Sequence, residues 1–175
     1  MKISLNNQKG FTLIELVVVL VILALLAAVA VPKFFNLQKQ AEAASAKAVI
    51  GNLKSALSIR VARAINDGED LAELAYNGAN ALNPMDDLLA NKPESYIGVV
   101  TANPPADPNG IWYDRNTGAA DHWVMYKTKN EDIITGGFSN NGTNIILRIE
   151  PLTDNGEVIG LELTPTATYD YEWQF

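Results

Sequence analysis

Between Phe11 and Val31 the chain runs for 21 residues with only two polar side chains, Thr12 and Glu15. At a rise of about 1.5 Å per residue that is a helix about 31 Å long, matching the roughly 30 Å hydrocarbon core of a bilayer. A helix apolar on every side is not the surface helix of a soluble domain, which turns a polar face to water. It needs lipid around it, or other apolar helices.

Glu15 is out of keeping with this run. A carboxylate inside a membrane segment is costly and usually has a partner and a role. Its place in the first helical turn offsets part of that cost, because free amide hydrogens and the helix dipole favour negative charge there. In the plainer reading Glu15 is an end-of-helix carboxylate tolerated near the headgroups. In the sharper one it has a cationic partner. Gly10-Phe11 has the look of a cleavage site, and a cut between them leaves a positively charged amine on Phe11. Phe11 and Glu15 lie four residues apart, on one helix face. In a staggered bundle the carboxylate of one copy could meet the amine of the next.

Lys9-Gly10-Phe11-Thr12-Leu13-Ile14-Glu15-Leu16 resembles the processing motif of type IV pilins and of the pseudopilins of type II secretion. The resemblance implies that a prepilin peptidase in the membrane cuts after Gly10 and methylates the new amino terminus on Phe11. It also implies that Glu15 pairs with the terminal amine of a neighbouring subunit during assembly. The match runs from Lys9 to about Gln38, Pro32 included. The stretch Val31-Pro32-Lys33-Phe34-Phe35-Asn36-Leu37-Gln38 looks most like pilins of the mannose-sensitive haemagglutinin type. Beyond about residue 66 no match to the family is legible. The chain has no cysteine, whereas many of those pilins close a carboxy-terminal loop with a disulfide.

The 175 residues leave room for one modest domain beside the helix. With 13 basic and 20 acidic residues the formal charge is -7; removing residues 1–10 takes Lys2 and Lys9 away, leaving 11 against 20, or -9. Such an exterior makes nucleic acid an unlikely partner, because sequence-independent binding relies on basic surface. Without cysteines, an extracytoplasmic head must be held by its core and sheet, or by a metal. Lys2 and Lys9 precede the apolar run with no acid beside them, which keeps that end in the cytoplasm. An ordinary secretory signal is the competing reading, and Ala28-Val29-Ala30 has the small-residue pattern of its cleavage site. Its apolar region would be only about 7–15 residues long, and Glu15 interrupts the start of this one.

The expected organisation is a leader at 1–10 removed by the peptidase and a transmembrane and assembly helix at 11–31. An amphipathic helix at 32–66 continues the spine, and residues 67–175 make a globular head. Pro32 removes a backbone donor and predicts a kink rather than a stop. After it, Phe34, Leu37, Ala41, Ala44 and Ala48 recur at three- and four-residue spacing, and Leu53, Leu57, Val61, Ala64 and Ile65 carry the stripe on. The half after Gly51 is expected to cover the head's core, and the half from Phe34 to Ala48 to pack on other subunits. Asn66-Asp67-Gly68 ends the helix. From 11 to 66 it would measure about 84 Å, which suits a shaft.

In the head, Leu71, Leu74 and Ala75 suggest a helical turn or two, and Asn83-Pro84 starts another. Tyr96–Val100 reads as a short strand, and 102–110 as a proline-rich loop. The period then changes to two. Ile111–Asp114 and His122–Thr128 read as strands around a turn at Arg115–Gly118. Asn144–Glu150 and Glu157–Thr164 form the clearest pair, joined through Pro151–Gly156, where Asn155-Gly156 is a hairpin signal. Tyr169–Phe175 is placed as an edge strand or as aromatic packing. The fold class is α+β, a long N-terminal helix packed on an antiparallel sheet of about four strands, with one polar face.

No catalytic group stands out. His122 is the sole histidine, so a Ser-His-Asp triad or a histidine-ligated metal would rest on it alone. It lies in an aromatic strand beside Trp123, where a structural role is expected. No phosphate loop, HExxH or CxxC motif occurs. The carboxylate pairs Asp86 with Asp87, Glu131 with Asp132 and Glu69 with Asp70 read as solvated faces. No cofactor is expected; calcium is the one metal considered, since it takes oxygen ligands and some pseudopilins bind it. Its candidate ligands are Asp107, Asn109, Asp114 and Asp154, with Asp121 and Asp132 nearby. Asn141-Gly142-Thr143 matches a glycosylation acceptor and reads as a turn.

The sequence therefore points to a structural subunit of a type IV pilus, a homopolymer built by inner-membrane assembly machinery and serving adhesion, motility or uptake. It would wait as a single-pass protein of the cytoplasmic membrane, head outside, before entering an extracellular fibre. A pseudopilin of a type II secretion system would instead enter a periplasmic filament. A membrane-anchored extracytoplasmic binding domain would never polymerise.

Overall fold

The computed structural model describes residues 10–101, 109–116, 122–139, 143–166 and 171–174, in two compact units, Met1–Gln38 and Lys39–Phe175. The main helix, α1 (Leu13–Asp67), contributes to both. Two short helices follow, α2 (Leu71–Leu74) and α3 (Pro84–Leu88). The strands are β1 (Tyr96–Val100), β2 (Ile111–Asn116), β3 (His122–Lys127), β4 (Ile134–Gly136), β5 (Phe138–Ser139), β6 (Thr143–Asp154), β7 (Glu157–Pro165) and β8 (Tyr171–Trp173).

α1 starts at Leu13 rather than at the expected Phe11, because Thr12 caps it from outside. It runs on past Pro32, so that proline is no stop. In the first unit every described side chain of α1 up to Phe35 is exposed. The second unit is where α1 acquires a buried face, made of Ala43, Ala46, Ile50, Leu53, Leu57 and Ala64. The expected stripe is out of phase in its first half. Ala41, Ala44 and Ala48 are exposed, and the buried residues 43, 46 and 50 lie two positions on, which is about 200° around the helix. Ile65 is exposed as well. Alanines occur on both sides of this part of α1, so composition could not choose the side.

The sheet has the order β1-β2-β3-β6-β5, with β7 also paired to β6. It is larger than the four strands expected. β1 runs parallel to β2, with Tyr96 opposite Trp112, and the other pairs are antiparallel. The β6–β7 hairpin is longer than its sequence pattern. Pro151 lies inside β6 opposite Leu161, a register shift follows at Leu152/Thr153, and the turn narrows to Asn155-Gly156. Both turn residues have positive φ, 50° and 89°, the left-handed conformation that Asn and Gly tolerate best. β8 does not join this sheet; it pairs with β4 as a separate two-stranded piece.

Against α1 the sheet sets Trp112, Val124, Tyr126, Ile145, Leu147, Ile149, Leu161 and Leu163, which form one core with the helix. The rings of Trp112 and Tyr126 stack with centroids 4.7 Å apart. The opposite face was expected to be polar. It carries its own buried cluster of Ile111, Tyr113, Met125 and Ile146, with Val100 and Trp123 against it. Both faces of β2, β3 and β6 are therefore withdrawn from water, which explains why these strands read as near-continuous apolar runs.

Candidate assembly site

Leu13, Ile14, Leu16, Leu20, Leu25, Leu26 and Val29 are each more than half exposed, and no described residue of the chain covers them. This part of α1 is long and apolar enough to cross a membrane. Nothing inside the chain removes that surface from water. At roughly 1.5–3 kcal/mol for each large apolar side chain transferred out of water, lipid or neighbouring helices must do so.

The carboxylate within this surface has a defined environment. Glu15 Oε2 accepts from the Thr12 amide at 2.8 Å and from the Thr12 hydroxyl at 2.7 Å. The Glu15 amide donates back to Thr12 Oγ1 at 3.3 Å. This is a capping box: two free donors at the start of the helix are satisfied reciprocally. Thr12 was missed as a partner, although a Thr followed three positions later by Glu ahead of an apolar run is a recognised sequence signature. Gly10 and Phe11 lie immediately before the cap and are fully exposed. Among the described residues other than its chain neighbours, nothing lies within 4 Å of the Cβ position of Gly10. The site thus consists of the exposed residues Gly10 and Phe11, a capped helix start and a single carboxylate in the first turn of an apolar rod.

Several of the head's titratable residues are tied into the fold. Asp114, one of the calcium candidates, is among them. It is fully buried in β2, and it accepts from the amides of Met85 at 3.0 Å and Asp86 at 3.2 Å and from the Tyr96 hydroxyl at 3.1 Å. Asn83, at the start of α3, makes no side-chain cap, so Asp114 caps that helix from across the core. Burial raises its pKa to about 7, against the lowering effect of these donors. Asn109 and Asp154 lie exposed in different parts of the head, and Asp107 and Asp121 fall outside the described residues, as does Asn141-Gly142. Among the described residues no group of three acidic or histidine side chains converges as a metal site.

Five of the six paired carboxylates, all but Glu131, have a partner among the described residues. Asp86 pairs with Lys92 at 2.9 Å, Glu69 with Arg60 at 2.5 Å and Asp132 with Lys39 at 2.5 Å. Asp70 caps α2 through the Ala72 amide at 2.8 Å, and Asp87 accepts from the Asn83 amide at 2.7 Å. The His122 backbone amide donates to the Tyr76 carbonyl at 3.4 Å, and its ring Nδ1 is buried without a hydrogen bond. Among the described residues this Nδ1 meets no carboxylate of the kind that orients a catalytic histidine.

Comparison with known proteins places the same segment in a family. The family described as the prokaryotic N-terminal methylation motif matches residues 5–31. The chain is similar to a fimbrial protein of Moraxella nonliquefaciens, 29% identical over 126 residues that cover 71% of this chain and 77% of the relative. It is 34% identical over 119 residues to a fimbrial protein of Dichelobacter nodosus, covering 64% of this chain and 71% of the relative. It is 46% identical over 58 residues to the type IV narrow pilus major component PilA5 of Thermus thermophilus, covering 33% of this chain and half of the relative. No solved structure matches.

Proposed function

The chain belongs to the type IV pilin family, and from that premise we propose that it is the structural subunit of a type IV pilus, acting by assembly rather than by catalysis. The observation that carries the proposal is the uncovered apolar length of α1 with one carboxylate near its start. Such a surface can leave the membrane only for an equally apolar surrounding, and helices of other copies supply one.

The prepilin peptidase cuts between Gly10 and Phe11, and the new amine, methylated, lies beside Glu15. Before assembly the subunit sits in the cytoplasmic membrane with its head outside. The inner-membrane machinery then lifts it into the fibre, where α1 exchanges lipid for neighbouring helices. Hydrophobicity does not distinguish one register of that bundle from another, because lipid is as apolar as leucine. A carboxylate that must find a neighbour's amine does, since misregistration leaves a buried charge unpaired. In the unassembled chain Thr12 holds Glu15 in place of that partner, so assembly adds the amine to a carboxylate already oriented. The pilins and pilus components among its relatives favour an extracellular fibre over a periplasmic secretion filament.

The test is the mature terminus. Mass spectrometry of subunits sheared from the cell surface should find chains that begin at N-methylated Phe11. Chains that begin at Met1, or beyond Val31, would overturn the proposal.

A further inference from the structure

The buried face of α1 begins at Ala43, and the contacts around that point are unlike those farther along. Glu42, half-buried, receives four donors on one carboxylate. The amides of Lys129 and Asn130 and the Asn130 side-chain amide donate to it, at 2.5, 3.1 and 2.5 Å, and so does the Tyr126 hydroxyl at 3.0 Å. A carboxylate has about four acceptor positions, so Glu42 is saturated by three donors of the β3–β4 connection and one from β3 itself. One turn earlier Lys39 pairs with Asp132 of the same connection at 2.5 Å.

The connection leads on through the buried residues Ile133 and Ile134 to β4, and β4 carries β8. The Gln174 amide donates to the Ile133 carbonyl at 3.1 Å. β8 then returns to α1, where Lys47 Nζ lies 4.8 Å from the centroid of the Trp173 ring. From Lys39 to Lys47 the helix rises about 12 Å. Over that length the residues facing inward are Ala43 and Ala46, each 2% exposed.

We propose that Glu42 is a positioning residue: with Lys39 it clasps the β3–β4 connection and the carboxy-terminal strand to α1, and so fixes where along the helix the head is seated. Its position gives it a second role, which rests on the filament reading. Residues of α1 before Lys39 have no buried contact in this chain, so tension entering a subunit along α1 reaches the head first at this clasp. Hydrogen bonds to a carboxylate are the stronger kind. Four of them converge on this one side chain, whereas the exposed Lys39–Asp132 pair alone contributes little.

The clasp is tested on the full-length unassembled subunit in detergent, by amide hydrogen exchange of wild type, Glu42→Ala and Glu42→Gln. Glu42→Ala is expected to speed exchange at Gln174 and across the β4–β8 pair at least tenfold, with the β2–β3 amides unchanged. Glu42→Gln, which retains one acceptor oxygen and no charge, is expected to fall between. Unchanged exchange in β4–β8, or equal acceleration through the whole sheet, would overturn the clasp. The load-bearing role is read on fibres: Glu42→Gln fibres should shear to shorter fragments than wild type, and equal lengths would remove that role. A wild type that forms no fibres counts against the filament reading, while the exchange data still judge the clasp.

Discussion

The Glu15 carboxylate is held by the amide and the hydroxyl of Thr12, at 2.8 and 2.7 Å, so it caps its own helix before it meets any other chain. Cap and charge can be separated by substitution. Glu15→Gln keeps a side chain that can accept from the Thr12 amide but carries no charge for a neighbour's amine. Glu15→Ala removes both. We expect both variants to be processed and membrane-bound, with fibre yield on electron micrographs down at least about tenfold, the effect of about 1.4 kcal/mol in assembly. Normal fibres from Glu15→Gln would mean that the cap alone matters.

Asp114 makes the head's stability depend on pH. Its pKa in the folded chain is about 7, raised by burial, while in the unfolded chain it is about 3.9. The folded state therefore holds the proton over that interval. The stabilisation is fully present below about pH 3.9 and is lost as pH rises to about 7, a change on the order of 2–4 kcal/mol. Urea unfolding of the full chain in detergent at several pH values should show this slope in the wild type. Asp114→Asn, which cannot titrate, should lose it.

Two residues of α1 distinguish its faces. Leu53 is fully buried against the sheet and Ile59 is 64% exposed. Leu53→Ala should cost about 2–5 kcal/mol in unfolding of the unassembled subunit, and Ile59→Ala should stay within about 0.5 kcal/mol. If Ile59→Ala were the more damaging in denaturant, the orientation of α1 on the sheet would be wrong.

The β6–β7 turn gives a purely backbone test. Gly156 has φ of 89°, and nothing lies within 4 Å of the Cβ it would gain. Gly156→Ala should then cost only the left-handed conformation, about 1–2 kcal/mol. Asn155→Gly should be nearly neutral. A midpoint unchanged by Gly156→Ala would show that the turn relaxes.

Local chemistry was enough for the elements whose signals are themselves local. The Asn155-Gly156 turn and the start of α3 at Asn83-Pro84 lie in the structure where the sequence placed them, and α1 begins two residues after the expected Phe11. The strands themselves were legible too, but not their burial, since β2, β3 and β6 are covered on both faces rather than alternating between core and water. The family motif was legible for the same reason, because its residues are neighbours in the chain.

A greasy helix with one acid at its start, followed by an α+β head, could be read from the order of residues alone. Packing chose which alanines of α1 face the sheet, that β1 runs parallel to β2, and that β8 pairs with β4. It also decided that Asp114 caps a helix 29 positions earlier in the chain and that Glu42 clasps a loop 87 positions later. A carboxylate has the same composition whether solvated, capping or coordinating. The donors that settle its role arrive from distant parts of the chain, and no local pattern records their approach.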